Sequence, residues 1–144
     1  MIACSRAPEP RTRIRTRSAY RPAYRGTVPP KITTEAGRAA LGAVAEGTAG
    51  RPETATAVRY LLQLLAEKAP GATVEVRVPP FGATQIIEGP RHTRGTPPNV
   101  VEMDAPTFID LATGVTGWSD AEAGGSLHAS GVRADFSHLL PLRP

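Results

Sequence analysis

The sequence predicts an α+β domain: a five-stranded, mainly antiparallel sheet with helices packed on one side. Apolar residues first recur at helical spacing and then alternate with polar residues, as they do in half-buried strands. Gly- and Pro-rich turn signals separate these segments. The resulting order is helix, three strands, two helices and two strands, which favours helices packed against one sheet.

Two helices are predicted before the first strand. Residues 34–44 have the pattern of a short helix, with Thr34 as a candidate N-cap. Residues 53–69 form the strongest helical segment, and the pair Pro70-Gly71 ends it. Its apolar stripe has the i, i+3, i+4, i+7 spacing of a helix face and comprises Val58, Leu61, Leu62 and Leu65.

Three strands follow, because the apolar period changes from helical to two. Residues 74–78 alternate between valine and charged side chains, and Pro79-Pro80 closes that strand. Residues 84–88 form the second strand, and the short link between the two predicts an antiparallel hairpin. A loop over residues 89–98 leads to the third strand, at residues 99–103.

The last part of the chain contains two short helices and two further strands. Asp104 is the predicted N-cap of a helix that ends at Gly114. A second helix covers residues 118–123. Residues 126–130 and 132–136 then alternate around Gly131 and predict the fourth and fifth strands.

The charge of the chain is concentrated at its start. Residues 1–25 hold seven arginines against one glutamate, whereas residues 26–144 hold ten basic and twelve acidic side chains. Residues 1–30 are therefore predicted to form a basic, disordered tail. Residues 31–51 are predicted to be a short helix and linker, and residues 52–144 the folded domain. We expect no stable nucleic-acid site in that domain.

Several classes of protein are disfavoured by composition and motif content. No stretch approaches the roughly 20 apolar residues of a transmembrane helix, and no secretory signal is visible. Cys4 is the only cysteine, so no disulfide framework is expected, and a cytoplasmic location follows. Nucleophile-elbow, P-loop and zinc-protease motifs are missing. We therefore expect no enzymatic activity, no cofactor and no metal site.

The densest polar cluster lies in the predicted loop before the third strand. Arg91, His92 and Arg94 stand between Gly and Pro residues and could present several donors to a carboxylate or phosphate group. The alternative is structural: the arginines would pair with neighbouring carboxylates and brace the loop. Those carboxylates are Glu88, Glu102 and Asp104.

Several segments resemble the sterol carrier protein type 2 family. Phe108-Ile-Asp-Leu with Thr113-Gly114, and the run Ala121-Glu-Ala-Gly-Gly-Ser-Leu-His-Ala-Ser-Gly131, are similar to its C-terminal motifs. Residues 74–80 and 88–102 look like a bacterial branch described as sterol carrier orthologues. Together the resemblance covers roughly residues 53–142.

This resemblance implies a sterol-carrier-like fold whose apolar tunnel holds fatty acyl, sterol or related ligands. The implied function is a non-catalytic intracellular protein that binds a lipid-like small molecule in an internal cavity. Two alternatives stay open: an anionic-metabolite module using the Arg91–Asn99 loop, and a protein-interaction scaffold without a ligand. The expected apolar ligand contacts are Leu61, Leu65, Val76, Val78, Ile87, Phe108, Leu111 and Leu127.

Overall fold

The computed structural model describes residues 30–89 and 99–144. Within these ranges it confirms the α+β class. All of the predicted tail except Pro30 lies outside them. The helices are α1 (Thr34–Ala45), α2 (Arg51–Lys68), α3 (Ala105–Thr113) and α4 (Trp118–Ala123). The strands are β1 (Pro70–Val78), β2 (Gly82–Ile86), β3 (Asn99–Met103) and β4 (Leu127–Ser130), and a 3₁₀ turn covers Ser137–Leu139.

Capping residues set where α1 and α3 begin and where α3 ends. The Oγ1 atom of Thr33 accepts a hydrogen bond from the backbone N–H of Ala36 at 3.2 Å, so the N-cap of α1 lies one residue before the predicted one. The predicted cap of α3 is confirmed, because Asp104 Oδ1 accepts from the N–H of Thr107 at 2.9 Å. Gly114 ends that helix with a φ of +84°, a conformation that favours glycine.

The sheet is mixed, with strand order β2-β1-β3-β4. The predicted hairpin of β1 and β2 is antiparallel, as is the β3–β4 pair, but the central strands β1 and β3 run parallel. Val76 is in register with Thr84 and Val101, and this row faces the helices. On the opposite face Arg77 Nε donates to Glu75 Oε1 at 2.7 Å, which raises the pKa of Arg77. A mainly antiparallel sheet of five strands is not confirmed.

The predicted fifth strand at residues 132–136 is wrong. The chain turns after β4, where Gly131 has a φ of +103° and its carbonyl accepts from the N–H of Ala134 at 3.2 Å. The N–H of Arg133 donates to the side chain of buried Asn99 at 3.0 Å instead of pairing with a strand. Ala134 and Phe136 are both buried, so the alternation that suggested a strand comes from an irregular segment with two inward-facing side chains.

Helices α1 and α2 pack closely because a glycine lies at their contact. Gly37 of α1 is buried, and a Cβ atom at this position would collide with the ring of Tyr60. Tyr60 itself is only 2% exposed, so its ring has little room to move away. Gly42 lies further along the same helix, and a Cβ there would meet nothing within 4 Å.

These two glycines predict opposite effects of the same substitution. Gly37→Ala should destabilise the protein by about 1–3 kcal/mol, because the added methyl group overpacks the contact with Tyr60. Gly42→Ala should stabilise it by about 0.5–1 kcal/mol, because alanine loses less backbone entropy in a helix. Urea denaturation of both variants measures the difference. Equal shifts in the same direction would show that α1 does not pack on α2 through Gly37.

Candidate functional site

An apolar groove of about 760 Å³ lies between α2 and β2. We call it the α2–β2 groove. Its base is formed by Leu62 of α2 and by Phe81 in the turn between β1 and β2. Thr84 contributes from β2, and Ile32 from the extended segment that precedes α1. Among the described residues, the lining comprises Pro30, Lys31, Ile32, Thr56, Arg59, Leu62, Gln63, Phe81, Gly82, Ala83 and Thr84.

A side-chain amide holds the outer wall of this groove in place. Gln63 Oε1 accepts a hydrogen bond from the backbone N–H of Ile32 at 3.0 Å, and Gln63 Nε2 donates to the carbonyl of Ile32 at 3.3 Å. The amide thus satisfies both backbone groups of a residue that has no strand partner. Ile32 is half-buried as a result, and its apolar side chain forms part of the groove lining.

Two arginines of α2 hold the aromatic residue at the base. Arg59 Nε donates to the carbonyl oxygen of Phe81 at 3.0 Å. The guanidinium carbon of Arg51 lies 5.8 Å from the centre of the Phe81 ring, within the range of a cation–π contact. These contacts fix the β1–β2 turn against α2, so the groove is lined by side chains with defined positions.

Most of the apolar residues predicted as ligand contacts lie together in the core. Leu61 and Leu65 on α2 are fully buried, and the sheet and α3 supply the rest of this group. One of them, Leu111, also lines a smaller cavity of about 280 Å³ beside Trp118. Their role as ligand contacts stays a prediction. The core members are Leu61, Leu65, Val76, Val78, Phe108, Leu111 and Leu127.

Ile87 is the member of the predicted set that lies at the margin of the core. It is half-buried and has a φ of +66°, which is rare for a β-branched residue. Its N–H donates to the carbonyl of Ala69 at 2.8 Å, and its carbonyl accepts from Thr73 at 3.1 Å. The backbone of Gly71 passes so close to Ile87 that a Cβ atom there would overlap the Ile87 carbonyl group. These contacts hold the unusual conformation.

The predicted anion-binding residues Arg91, His92 and Arg94 lie outside the described residues. Asn99, the first described residue after them, is buried, and its Nδ2 donates to the carbonyl of Thr73 at 2.9 Å. Both the anion-binding interpretation and the bracing alternative therefore stay predictions.

A second cleft, of about 330 Å³, lies at the junction of β3, α3 and β4 and is lined in part by Glu102, Asp104 and His128. Glu102 and His128 are cross-strand partners on the exposed face of the sheet, and Asp104 caps α3. In the described part of the chain, no group of three or more His, Cys, Asp or Glu side chains is arranged to hold a metal ion.

None of the eight predicted apolar contacts is among the described residues that line the groove, and three of the lining residues show why. Leu62 belongs to the apolar stripe of α2, so the sequence indicated its burial but not which side of the helix borders a cavity. Ile32 and Gln63 meet only through tertiary packing, 31 residues apart in the chain. No local pattern indicates that pairing.

The fold and the groove together define a small α+β domain with helices on one face of a mixed sheet and an apolar surface groove. The chain belongs to the bacterial SCP ortholog family, whose model matches residues 50–142. This match confirms the resemblance to the bacterial sterol carrier branch. A search of curated proteins gives no match. None of the helices in residues 30–89 and 99–144 is both long and apolar enough to cross a membrane.

Proposed function

We propose that this protein is a non-catalytic binding protein that holds a lipid-like ligand, apolar or amphipathic, in the α2–β2 groove. The observation that carries the proposal is the groove itself, whose volume of about 760 Å³ accommodates a small molecule. Ligand sites usually fall between about 300 and 1,000 Å³ and are lined mainly by apolar side chains with a few polar groups. Membership of the bacterial SCP ortholog family supports the same class of ligand.

The residues of the groove have distinct parts in this proposal. Leu62, Phe81 and Ile32 offer apolar surface to an acyl chain or a ring system. Burial of that surface stabilises the complex by about 25 cal/mol per Å² before the costs of association. Gln63 keeps Ile32 in position before the ligand arrives, which lowers the ordering cost of binding. The core residues Leu61 and Leu65 belong to α2 and pack this helix against the rest of the core.

A direct binding titration tests the proposal. Purified protein stripped of lipid should bind a dansyl-labelled undecanoic acid at one saturable site, with a dissociation constant in about the micromolar range. Dansylamide, which lacks the acyl chain, should not bind, because apolar burial supplies most of the affinity. Native mass spectrometry of the protein before lipid removal should show a bound molecule of lipid mass. Absence of saturable binding together with absence of co-purified lipid would refute the proposal.

A further inference from the structure

The rim of the α2–β2 groove is positively charged. Lys31 and Arg59 are among its lining residues, and Arg51 lies over the Phe81 ring. None of the lining residues in the described chain is acidic. Residues 26–144 hold twelve acidic and ten basic side chains, so this local charge is opposite to that of the body as a whole. An apolar groove with a cationic rim is complementary to a molecule with an apolar chain and an anionic end.

Among the rim cations, Arg59 is the best placed to contact a ligand. Its Nε bond to the Phe81 carbonyl at 3.0 Å holds the guanidinium beside the apolar base of the groove. The terminal NH₂ groups of a guanidinium supply further donors, which match the oxygens of a carboxylate or phosphate. Lys31 is less suited, because its ammonium group pairs with Glu67 at 2.8 Å and its side chain is 77% exposed.

We infer that the groove selects amphiphiles with an anionic head group, and that Arg59 determines this specificity. The inference rests on the proposed function and adds the charge of the ligand. The apolar chain lies against Leu62 and Phe81, and the carboxylate or phosphate accepts hydrogen bonds from Arg59. A neutral alcohol with the same chain gains the apolar burial alone and binds more weakly.

The test compares three probes of equal chain length, dodecanoate, dodecyl phosphate and dodecanol, by competition against the dansyl-labelled fatty acid. Arg59→Gln should weaken both anions about two- to fivefold more than it weakens dodecanol, the range expected of an exposed charged contact. The two anionic arms separate carboxylate from phosphate recognition. Arg59→Lys loses the same Nε bond to Phe81 but keeps the positive charge. Because the charge is kept, this variant should retain most of the preference for anions. Arg133→Gln removes an exposed charge beside β4, at the opposite edge of the sheet, and should change no affinity.

The outcomes separate this inference from the proposed function. Equal binding of anions and alcohol by the unmodified protein would overturn the anion preference while leaving a lipid-binding groove. An equal loss of all three probes in Arg59→Gln would overturn the role of Arg59 and assign it to bracing the β1–β2 turn. If the unmodified protein bound none of the three, the proposed function itself would fail. A thermal melt of each variant shows that the compared proteins are folded.

Discussion

Replacing Leu61 with alanine should lower the free energy of unfolding by about 2–5 kcal/mol. Leu61 has no exposed surface and packs in the core between α2 and the sheet. The truncation removes apolar contacts and leaves a cavity that the surrounding core fills only in part. Urea denaturation can follow the change through the fluorescence of Trp118, whose ring packs edge-on against Phe136 at a centroid distance of 4.8 Å.

Leu64 on the same helix provides the matched control. It is only half-buried, so Leu64→Ala removes less buried surface and should cost clearly less than Leu61→Ala. The folded Leu61→Ala protein should bind the dansyl-labelled fatty acid as tightly as the unmodified protein, because Leu61 is not part of the groove lining. A small loss of stability together with a changed probe affinity would mean that Leu61 lines the ligand chamber, as the family resemblance implies.

Local signals in the sequence predicted most of the helices and strands. The stripe of α2 and the cap at Asp104 depend on residues a few positions apart, so they can be recognised without the rest of the chain. The strand at residues 99–103 was predicted with the bounds it has in the structure. Its alternation reports directly which side chains face the helices, since successive residues of a strand point to opposite faces.

The pairing of the strands could not be predicted in the same way. The parallel contact between β1 and β3 joins segments that are separated by the whole of β2 and by residues 87–98. The segment after β4 alternates like a strand, yet it does not pair with the sheet. The backbone N–H of Arg133 instead donates to the side chain of Asn99, which lies 34 positions earlier in the chain. Such contacts are decided by tertiary packing, which local periodicity does not encode.

The same limit applies to the candidate site. The sequence indicated which apolar residues would be buried, but a side chain in a packed core and one at the base of a groove give the same stripe. Leu61 and Leu62 are neighbours in that stripe, and only Leu62 borders the groove. Phe81 lies in a turn whose position against α2 depends on Arg59, a contact across 22 residues of chain.

The proposed site places the lipid-like ligand against β2, in the α2–β2 groove. Two adjacent residues of β2 allow this to be tested, because they lie on opposite faces of the sheet. Thr84 is in register with buried Val76 and lines the groove, whereas Gln85 is in register with Glu75 on the exposed face. Tryptophan is well tolerated in strands, so each residue can be replaced by the same bulky side chain.

The decisive measurement is the affinity of the dansyl-labelled fatty acid for Thr84→Trp and Gln85→Trp, determined by isothermal titration calorimetry. The indole at position 84 fills space that the ligand needs, so this variant should lose about tenfold or more in affinity, which corresponds to about 1.4 kcal/mol or more. Gln85→Trp should bind like the unmodified protein, and both variants should melt within a few degrees of it. Unchanged binding by folded Thr84→Trp would contradict the account and place the ligand elsewhere in the fold.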